Sequence, residues 1–211
     1  LQSGSDRVLQ QMRRSYRSDR YLGILDRVRT GIPHAAITTD IIVGFPGETE
    51  QDFQATLDVC STARFTAAYT YQYSKRPGTP AATMPDQIAD DVVADRYTRL
   101  HNHQQAISLS VNQEAIGTTH KILVGDYEGR RDEAQSRLTG RSEDFRLVHF
   151  DNTCVARPGD EVTVTITDAS AHYLIGDPLS VRQTRGAEAH AARIAQPGPS
   201  ATMLGIPTVK R

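Results

Sequence analysis

The sequence predicts two bodies. Residues 1–113 form an α/β body, the second half of a partial TIM-type βα barrel, and residues 114–183 form a small all-β barrel of the OB type. Three observations carry this. Helix-period and strand-period signals alternate up to about residue 113. From Ile116 the texture changes to five short strand-like runs separated by turn residues. The 211 residues, 38% hydrophobic and 23% charged, have the composition of a folded chain with room for one or two cores.

In the first body, Ser5 is placed to cap a helix carrying Val8, Leu9, Met12 and Tyr16 at helical spacing. Ser18 is placed to cap a second, with Tyr21, Leu22, Leu25 and Val28 on one face and Gly31 and Pro33 as its stop. The run 35–43 is short, β-branched and nearly all apolar, and reads as a strand buried on both faces. Thr49 caps a helix bearing Phe53, Leu57 and Cys60. A second strand is expected over 66–73, and a long helix from about Asp86 to Glu114 with Ile88, Val92, Tyr97, Leu100, Ile107 and Val111.

In the second body, strands are expected over 121–124, 135–139, 147–150, 161–167 and 173–176, with turns at Gly125-Asp126 and Pro158-Gly159-Asp160. Residues 184–211 are Ala-rich with Pro197-Gly198-Pro199 and read as a disordered tail. Two complete strands are few for a parallel sheet, so further strands are expected ahead of Leu1 in a longer chain.

Net charge is −1, which excludes a protein held to nucleic acid by bulk charge but not a local basic patch. Residues 1–30 hold seven Arg against three Asp, with Arg13, Arg14 and Arg17 close together. Arg137, Arg141 and Arg146 belong to the second body, interleaved with acids. These groups, with Arg76, suit phosphate contacts, and equally a solvated surface. Cys60 and Cys154 form no CxxC pair. This argues against a disulfide framework or a zinc site made by this chain alone, and fits a reducing cytoplasm. No apolar run is long enough to span a membrane.

The chemistry-bearing stretch is Thr39-Asp40-Ile41-Ile42-Val43-Gly44-Phe45-Pro46-Gly47-Glu48-Thr49, at the C-terminal end of a strand. In βα architectures the loops at that end build the site. Gly44 and Gly47 let backbone approach a ligand, and would equally serve a tight turn. Gln2-Ser3-Gly4-Ser5 offers an amide and hydroxyls ahead of a helix, suited to ribose hydroxyls or to capping. Tyr71 and Tyr73, at i and i+2, share one sheet face, followed by Ser74, Lys75 and Arg76. They could floor an adenine or simply pack in a core.

In order, Leu1-Gln2-Ser3-Gly4-Ser5-Asp6, Met12-Arg13-Arg14-Ser15-Tyr16, the 40–49 run and Tyr73-Ser74-Lys75-Arg76-Pro77-Gly78-Thr79-Pro80 resemble the methylthiotransferases, radical S-adenosylmethionine enzymes, and most of all the MiaB-type tRNA enzymes. Gly140-Arg141, Leu147-Val148-His149-Phe150 and Arg157-Pro158-Gly159-Asp160 resemble the TRAM domain of that family. The resemblance implies a radical S-adenosylmethionine barrel followed by TRAM, and methylthiolation of C2 of N6-isopentenyladenosine next to the tRNA anticodon. It implies S-adenosylmethionine and two [4Fe–4S] clusters, an electron donor, a tRNA anticodon stem-loop as partner, and a cytoplasmic monomer.

It also places the cofactor against Gln2, Ser3, Asp40, Ile42, Gly44, Glu48, Tyr71, Tyr73 and Ser74. Catalytic residues are not assigned. The family's G-x-I-x-G-x-x-E pattern is altered, because Asp40 stands at the first Gly position and Glu48 comes one residue late. The CxxxCxxC cluster motif is absent, so the cluster ligands lie outside this sequence and this chain is expected to be inactive alone. Two other readings stay open: a non-catalytic RNA-binding module, and a methylthiotransferase acting on threonylcarbamoyladenosine or, like the RimO-type relatives, on a ribosomal protein.

Overall fold

The computed structural model describes residues 1–125 and 137–195. The chain opens on Gln2, which bridges Ile41 in parallel: its N–H donates to the Asp40 carbonyl at 2.8 Å and its carbonyl accepts from Ile42 at 2.9 Å. Helix α1 (Asp6–Gln11) follows, capped by Ser5. It stops short of Tyr16, whose hydroxyl instead donates to the Leu1 carbonyl. Helix α2 (Ser18–Gly31) is anchored by a different group from the one the sequence predicts. The Asp6 carboxylate accepts from the Ser18 N–H and hydroxyl, at 2.8 and 3.0 Å.

Strands β1 (Thr38–Val43) and β2 (Ala67–Gln72) pair in parallel, in register from Thr38↔Ala67 to Val43↔Gln72. Between them runs α3 (Glu50–Ala63), opened by a capping box in which Thr49 and Asp52 exchange hydrogen bonds. The pair β1–β2 is the only sheet of the first body among the described residues.

β1 is not buried on both faces. Thr39, Ile41 and Val43 are buried, while Thr38 and Asp40 are exposed and Ile42 is half-buried. The buried face meets α2, α3 and α4 (Asp90–Gln113) in a core with Leu25, Phe53, Leu57, Cys60, Phe65, Val93 and Leu100. The long apolar run reflects Ile42 as well as the core residues, and Ile42 belongs to the open face.

α4 begins later than its sequence predicts, and its buried stripe is Val93, Arg96, Leu100, Gln104, Ser108 and Asn112. Four of these six are polar or charged, and several of them serve buried backbone. Gln104 Nε2 donates to the Phe65 carbonyl at 2.9 Å, and Asn112 Nδ2 to the Ser170 carbonyl at 2.8 Å. The apolar residues read from periodicity do face the core, with Leu100 buried and Ile88, Tyr97 and Ile107 packed against it, but Val92 is exposed and the polar part of the stripe is not legible from apolar spacing.

The second body is a closed five-stranded barrel, ordered β3-β4-β5-β7-β6. Its strands are β3 (Thr119–Val124), β4 (Arg137–Ser142), β5 (Leu147–Asp151), β6 (Glu161–Ala169) and β7 (Leu174–Arg182). All neighbours are antiparallel except β5 and β7. Ile122, Val148, Phe150, Val162, Val164, Ile166 and Leu174 fill it. β4 sits two to three residues later than predicted, and Gln135 lies outside the described residues. β7 runs on through Pro178, opposite a register shift at Thr163/Val164, where a missing N–H is tolerated.

The expected disordered tail is ordered at its start: Arg185–Ala195 is a helix, α5. Alanine is the best helix former. The Thr184 hydroxyl accepts from Ala187 N–H at 3.1 Å and donates to the Gly159 carbonyl at 2.6 Å. The Asp160 carboxylate, wholly buried, accepts from Thr184 N–H. Residues 196–211 of the predicted tail lie outside the described residues.

Candidate functional site: the open face of the parallel strands and the barrel exterior

Parallel pairing sends the side chains of partnered residues to the same face. Asp40 pairs with Tyr69 and Ile42 with Tyr71. All four therefore line the face of β1–β2 that the helices leave uncovered. Tyr69 and Tyr71 are 62% and 51% exposed. A carboxylate, an aliphatic side chain and two phenols on one flat face, with the Gln2 backbone completing the edge, can hold a planar ring and its hydroxylated sugar. Gln2 itself takes φ 74°, a left-handed conformation uncommon outside glycine.

The structure brings Gln2, Asp40, Ile42 and Tyr71 to this face, and Tyr69 joins them although the sequence reading passed over it. The predicted pair Tyr71/Tyr73 is split. Tyr73 lies beyond the strand and packs edge-on to Phe45, ring centroids 5.4 Å apart. The signal that finds Tyr69 is the same i, i+2 alternation counted one step earlier. Ser74 and Arg76 are exposed in the segment after β2.

Three predicted contacts are turned elsewhere. Ser3 is fully buried, its hydroxyl 3.4 Å from Thr56 Oγ1 and accepting from Ser5 N–H. Next to it, a Cβ on Gly4 would come 2.4 Å from the Ala55 carbonyl, so the glycine lets this segment lie directly on α3. Ser3 is held by that packing, away from the open face.

Glu48 is also buried. Its carboxylate accepts from Gly44 N–H at 2.9 Å and pairs with Arg96 of α4 at 2.9 Å. Arg96 also donates to the Glu48 carbonyl at 3.0 Å and lies over the Phe53 ring. Burial pushes the Glu48 carboxyl above its ordinary value, and the Gly44 N–H and Arg96 offset only part of this. Gly44, at φ +77°, would place a Cβ 2.6 Å from Val93 Cγ2. The Gly44–Glu48 turn is thus bound to α4, and Glu48 shapes the loop from behind. Arg96 was invisible to a motif search, but a charge on the inward stripe of an amphipathic helix is the signal that marks it.

Asp52 ties the same end together. Its carboxylate accepts from Ser5 Oγ at 2.5 Å, from the Arg7 guanidinium, and from Thr49 N–H and Oγ1 at 2.8 and 2.6 Å. Burial alone would raise its pKa, but these donors outweigh burial and hold it far below the usual carboxylate range.

The predicted phosphate-binding arginines divide. Arg13 and Arg14 are exposed with no side-chain partner among the described residues, and Arg17 donates to the Asp6 carbonyl at 3.3 Å. On the barrel, Arg146 is committed to Asp144 at 2.5 Å with its side chain 15% exposed, so it is a structural cation. Arg137 pairs with Asp151 at 3.5 Å. Arg141 is exposed and lies 5.2 Å over the ring of Phe145.

Comparison with known proteins fits these two bodies. Residues 1–60 match the Radical SAM superfamily and residues 113–179 the TRAM domain. A protein of Mycolicibacterium smegmatis is 56% identical over 223 residues, covering 97% of this chain and 43% of the relative. One from Mycobacterium avium is 61% identical, covering 90% and 27%, and one from Corynebacterium urealyticum 57%, covering 99% and 39%. Each of these relatives is named tRNA-2-methylthio-N(6)-dimethylallyladenosine synthase. The chain belongs to the methylthiotransferases of the radical S-adenosylmethionine superfamily. It spans 43% and 40% of the length of two such relatives, from M. smegmatis and Mycolicibacterium paratuberculosis.

For this methylthiotransferase chain the two groups the family uses fare differently. The open face, with its exposed carboxylate and two exposed phenols, has the chemistry to take the adenosine half of S-adenosylmethionine. An iron–sulfur cluster does not fit. Cys60 is buried in the core, its thiol pushed up to about 12 by burial, and Cys154 sits in the barrel. Among the described residues no group of three or more His, Cys, Asp or Glu could hold a metal ion. Nor, among them, is any helix long and apolar enough to cross a membrane.

Proposed function

We propose that this chain serves a tRNA methylthiotransferase that places a methylthio group on C2 of N6-isopentenyladenosine beside the anticodon, in the cytoplasm. In this reading residues 1–113 are part of a larger βα barrel and residues 114–183 are the RNA-facing TRAM domain. The observation that carries it is the joint one: an uncovered parallel-strand face on one body, a closed barrel fixed to the next, and 56–61% identity to synthases of that name.

Bound S-adenosylmethionine would supply a radical able to abstract hydrogen from carbon, with electrons from an external donor and thiolate-held clusters whose ligands come from outside this sequence. The chain's own residues bind and orient. Ile42 and Tyr71 would floor the adenine, with backbone groups of 71–74 along its edge. Asp40 and the Gln2 segment would meet the ribose hydroxyls. Ser3, Gly44 and Glu48 act on the cofactor indirectly, by fixing the segments that carry Gln2 and Ile42. Arg13, Arg14, Arg17, Arg76, Arg137 and Arg141 are the phosphate-contact set for the anticodon stem-loop, and the protein works as a monomer.

The test is the tRNA of cells lacking the gene that encodes this sequence. Mass spectrometry of tRNA digests should show N6-isopentenyladenosine accumulating without its methylthio group. Unchanged methylthiolation there would overturn the reading, and loss from threonylcarbamoyladenosine instead would move the substrate to the other tRNA branch.

A further inference from the structure

Phe145 is an anomalous side chain on the barrel. It lies in the β4–β5 connection with φ +68°, a conformation that bulky side chains rarely adopt, and its side chain is 76% exposed. An exposed aromatic ring gains nothing from burial, and its backbone is strained, so packing does not account for it. Strain of this kind persists where the surroundings over-determine it, and it gathers at ligand clamps.

The surroundings do over-determine it. Phe145 N–H donates to the Ser142 carbonyl at 2.8 Å, and Ser142 N–H to the Arg146 carbonyl at 3.0 Å. Ser142 Oγ donates to Asp144 at 2.5 Å, and Asp144 is pinned by Arg146. Arg141 lies 5.2 Å over the ring and donates to the Phe145 carbonyl at 3.2 Å. The ring is thus presented by a rigid tip and backed by a guanidinium. Across the sheet, Leu123 stands directly opposite Arg141 in register and is 59% exposed. The barrel exterior here runs apolar, cationic, aromatic.

We propose that Phe145 is a stacking platform for one unpaired nucleobase of the RNA, with Arg141 bracing the ring and meeting the adjacent phosphate. This deepens the RNA reading of the barrel and rests on it. The chemistry at contact decides the occupant. Asp144 is neutralised by Arg146, which leaves exposed Glu143 and Arg141 at the tip. Glu143 cancels the long-range pull of Arg141, so the tip adds little steering, and what it offers at contact is a π face beside one cation, the pairing that single-stranded nucleic acid takes. The tip, Glu143 to Arg146, is itself one wall of a cleft of about 1060 Å³ between the two bodies, whose arginines are already engaged. Its Arg64 and Arg146 are already paired with Glu114 and Asp144, and Arg29 with the Ala63 carbonyl.

The chain contains no tryptophan, so Phe145→Trp creates a single reporter at the tip. The probe is a fluorescein-labelled anticodon stem-loop RNA, followed by anisotropy, with an unlabelled copy for the tryptophan emission. Phe145→Trp should bind at least as tightly as the parent and its emission should be quenched with the same midpoint as binding. Phe145→Gly should bind about 5- to 150-fold more weakly, the range for one stacked base. Its salt slope should be unchanged, because stacking releases no counterions. Its melting temperature should be equal or higher, because glycine relieves the strained φ.

Binding with no tryptophan quench, or Phe145→Gly with parental affinity, overturns the platform while leaving the RNA reading intact. A tip built for another protein gives that same result. Absence of any anisotropy change with the parent chain would instead overturn the RNA reading, and the platform with it.

Discussion

Replacing Arg96 by Met removes the cation paired with the Glu48 carboxylate in the interior. The two side chains are 6% and 1% exposed, and the pair is 2.9 Å apart. Breaking a buried pair from one side leaves an uncompensated charge and costs about 3–5 kcal/mol. The Gly44 N–H remains on Glu48 and does not carry charge. The cost must depend on pH. Burial already raises the Glu48 carboxyl above 4.5 with Arg96 present, and losing Arg96 raises it further.

A carboxyl with a raised folded pKa is stabilising below its unfolded value, and that contribution is lost as pH rises through the folded value. The Arg96→Met deficit should therefore be full near pH 8 and shrink steadily as pH falls towards 4.5. Urea unfolding at fixed m, across that range, reads it. Arg96→Met with Glu48→Gln leaves no buried charge and should recover up to about 3 kcal/mol as a coupling energy. A single-variant loss below about 1 kcal/mol, flat with pH, would refute the buried pair and with it the account of how the Gly44–Glu48 turn is held.

Other outcomes follow from the same packing. Gly44→Ala should lose about 1–2 kcal/mol to its positive φ plus a clash with Val93, and Val93→Ala should relieve only the clash, as denaturation of the double variant will show. Asp160→Ala should release α5, seen as faster hydrogen exchange of its amides with the barrel strands unchanged. Burial pushes the Asp160 carboxyl up, but the Thr184 and Arg157 N–H groups outweigh it and depress the pKa, so in the parent this docking should hold above 3.8 and fail as pH falls through the depressed value. Arg141→Ala should reduce the salt slope of stem-loop binding by about 0.7–0.9, whereas Arg146→Ala should unfold the tip rather than subtract one phosphate contact.

What the sequence made legible was what local chemistry decides. Thr49 and Ser5 cap the helices they precede, and β1 and β2 pair side by side in parallel. Strand spacing gave the five-stranded barrel because each strand carries its own alternation and turns. What stayed hidden was which face a residue serves. Ser3, Gly44 and Glu48 carry the motif, but their partners Thr56, Val93 and Arg96 lie between 48 and 53 residues away in sequence, and nothing near a motif announces a distant partner. The polar stripe of α4 stayed hidden for a related reason: Gln104 and Asn112 are buried because they satisfy backbone carbonyls of other elements. Ala-rich residues after Thr184 looked like a tail because their docking depends on Asp160 and Gly159, which belong to a turn of the barrel.

The manner in which α4 ends has a mechanical consequence. No slack joins it to the barrel: Asn112 is bonded to Ser170, and Gly117 N–H donates to the Ile166 carbonyl within four residues of the helix end. From the Arg96 clamp to Gln113 the helix runs about 26 Å at 1.5 Å per residue. It is therefore a stiff lever with its fulcrum at the loop behind the open strand face and its load at the barrel. A tilt of about 5° at the fulcrum sweeps the barrel root through about 2 Å, more than the roughly 1 Å misplacement that already costs a reactive centre its aim. Force applied to the barrel by a bulky partner is delivered to the Gly44–Glu48 turn, and a change in that turn is amplified outward.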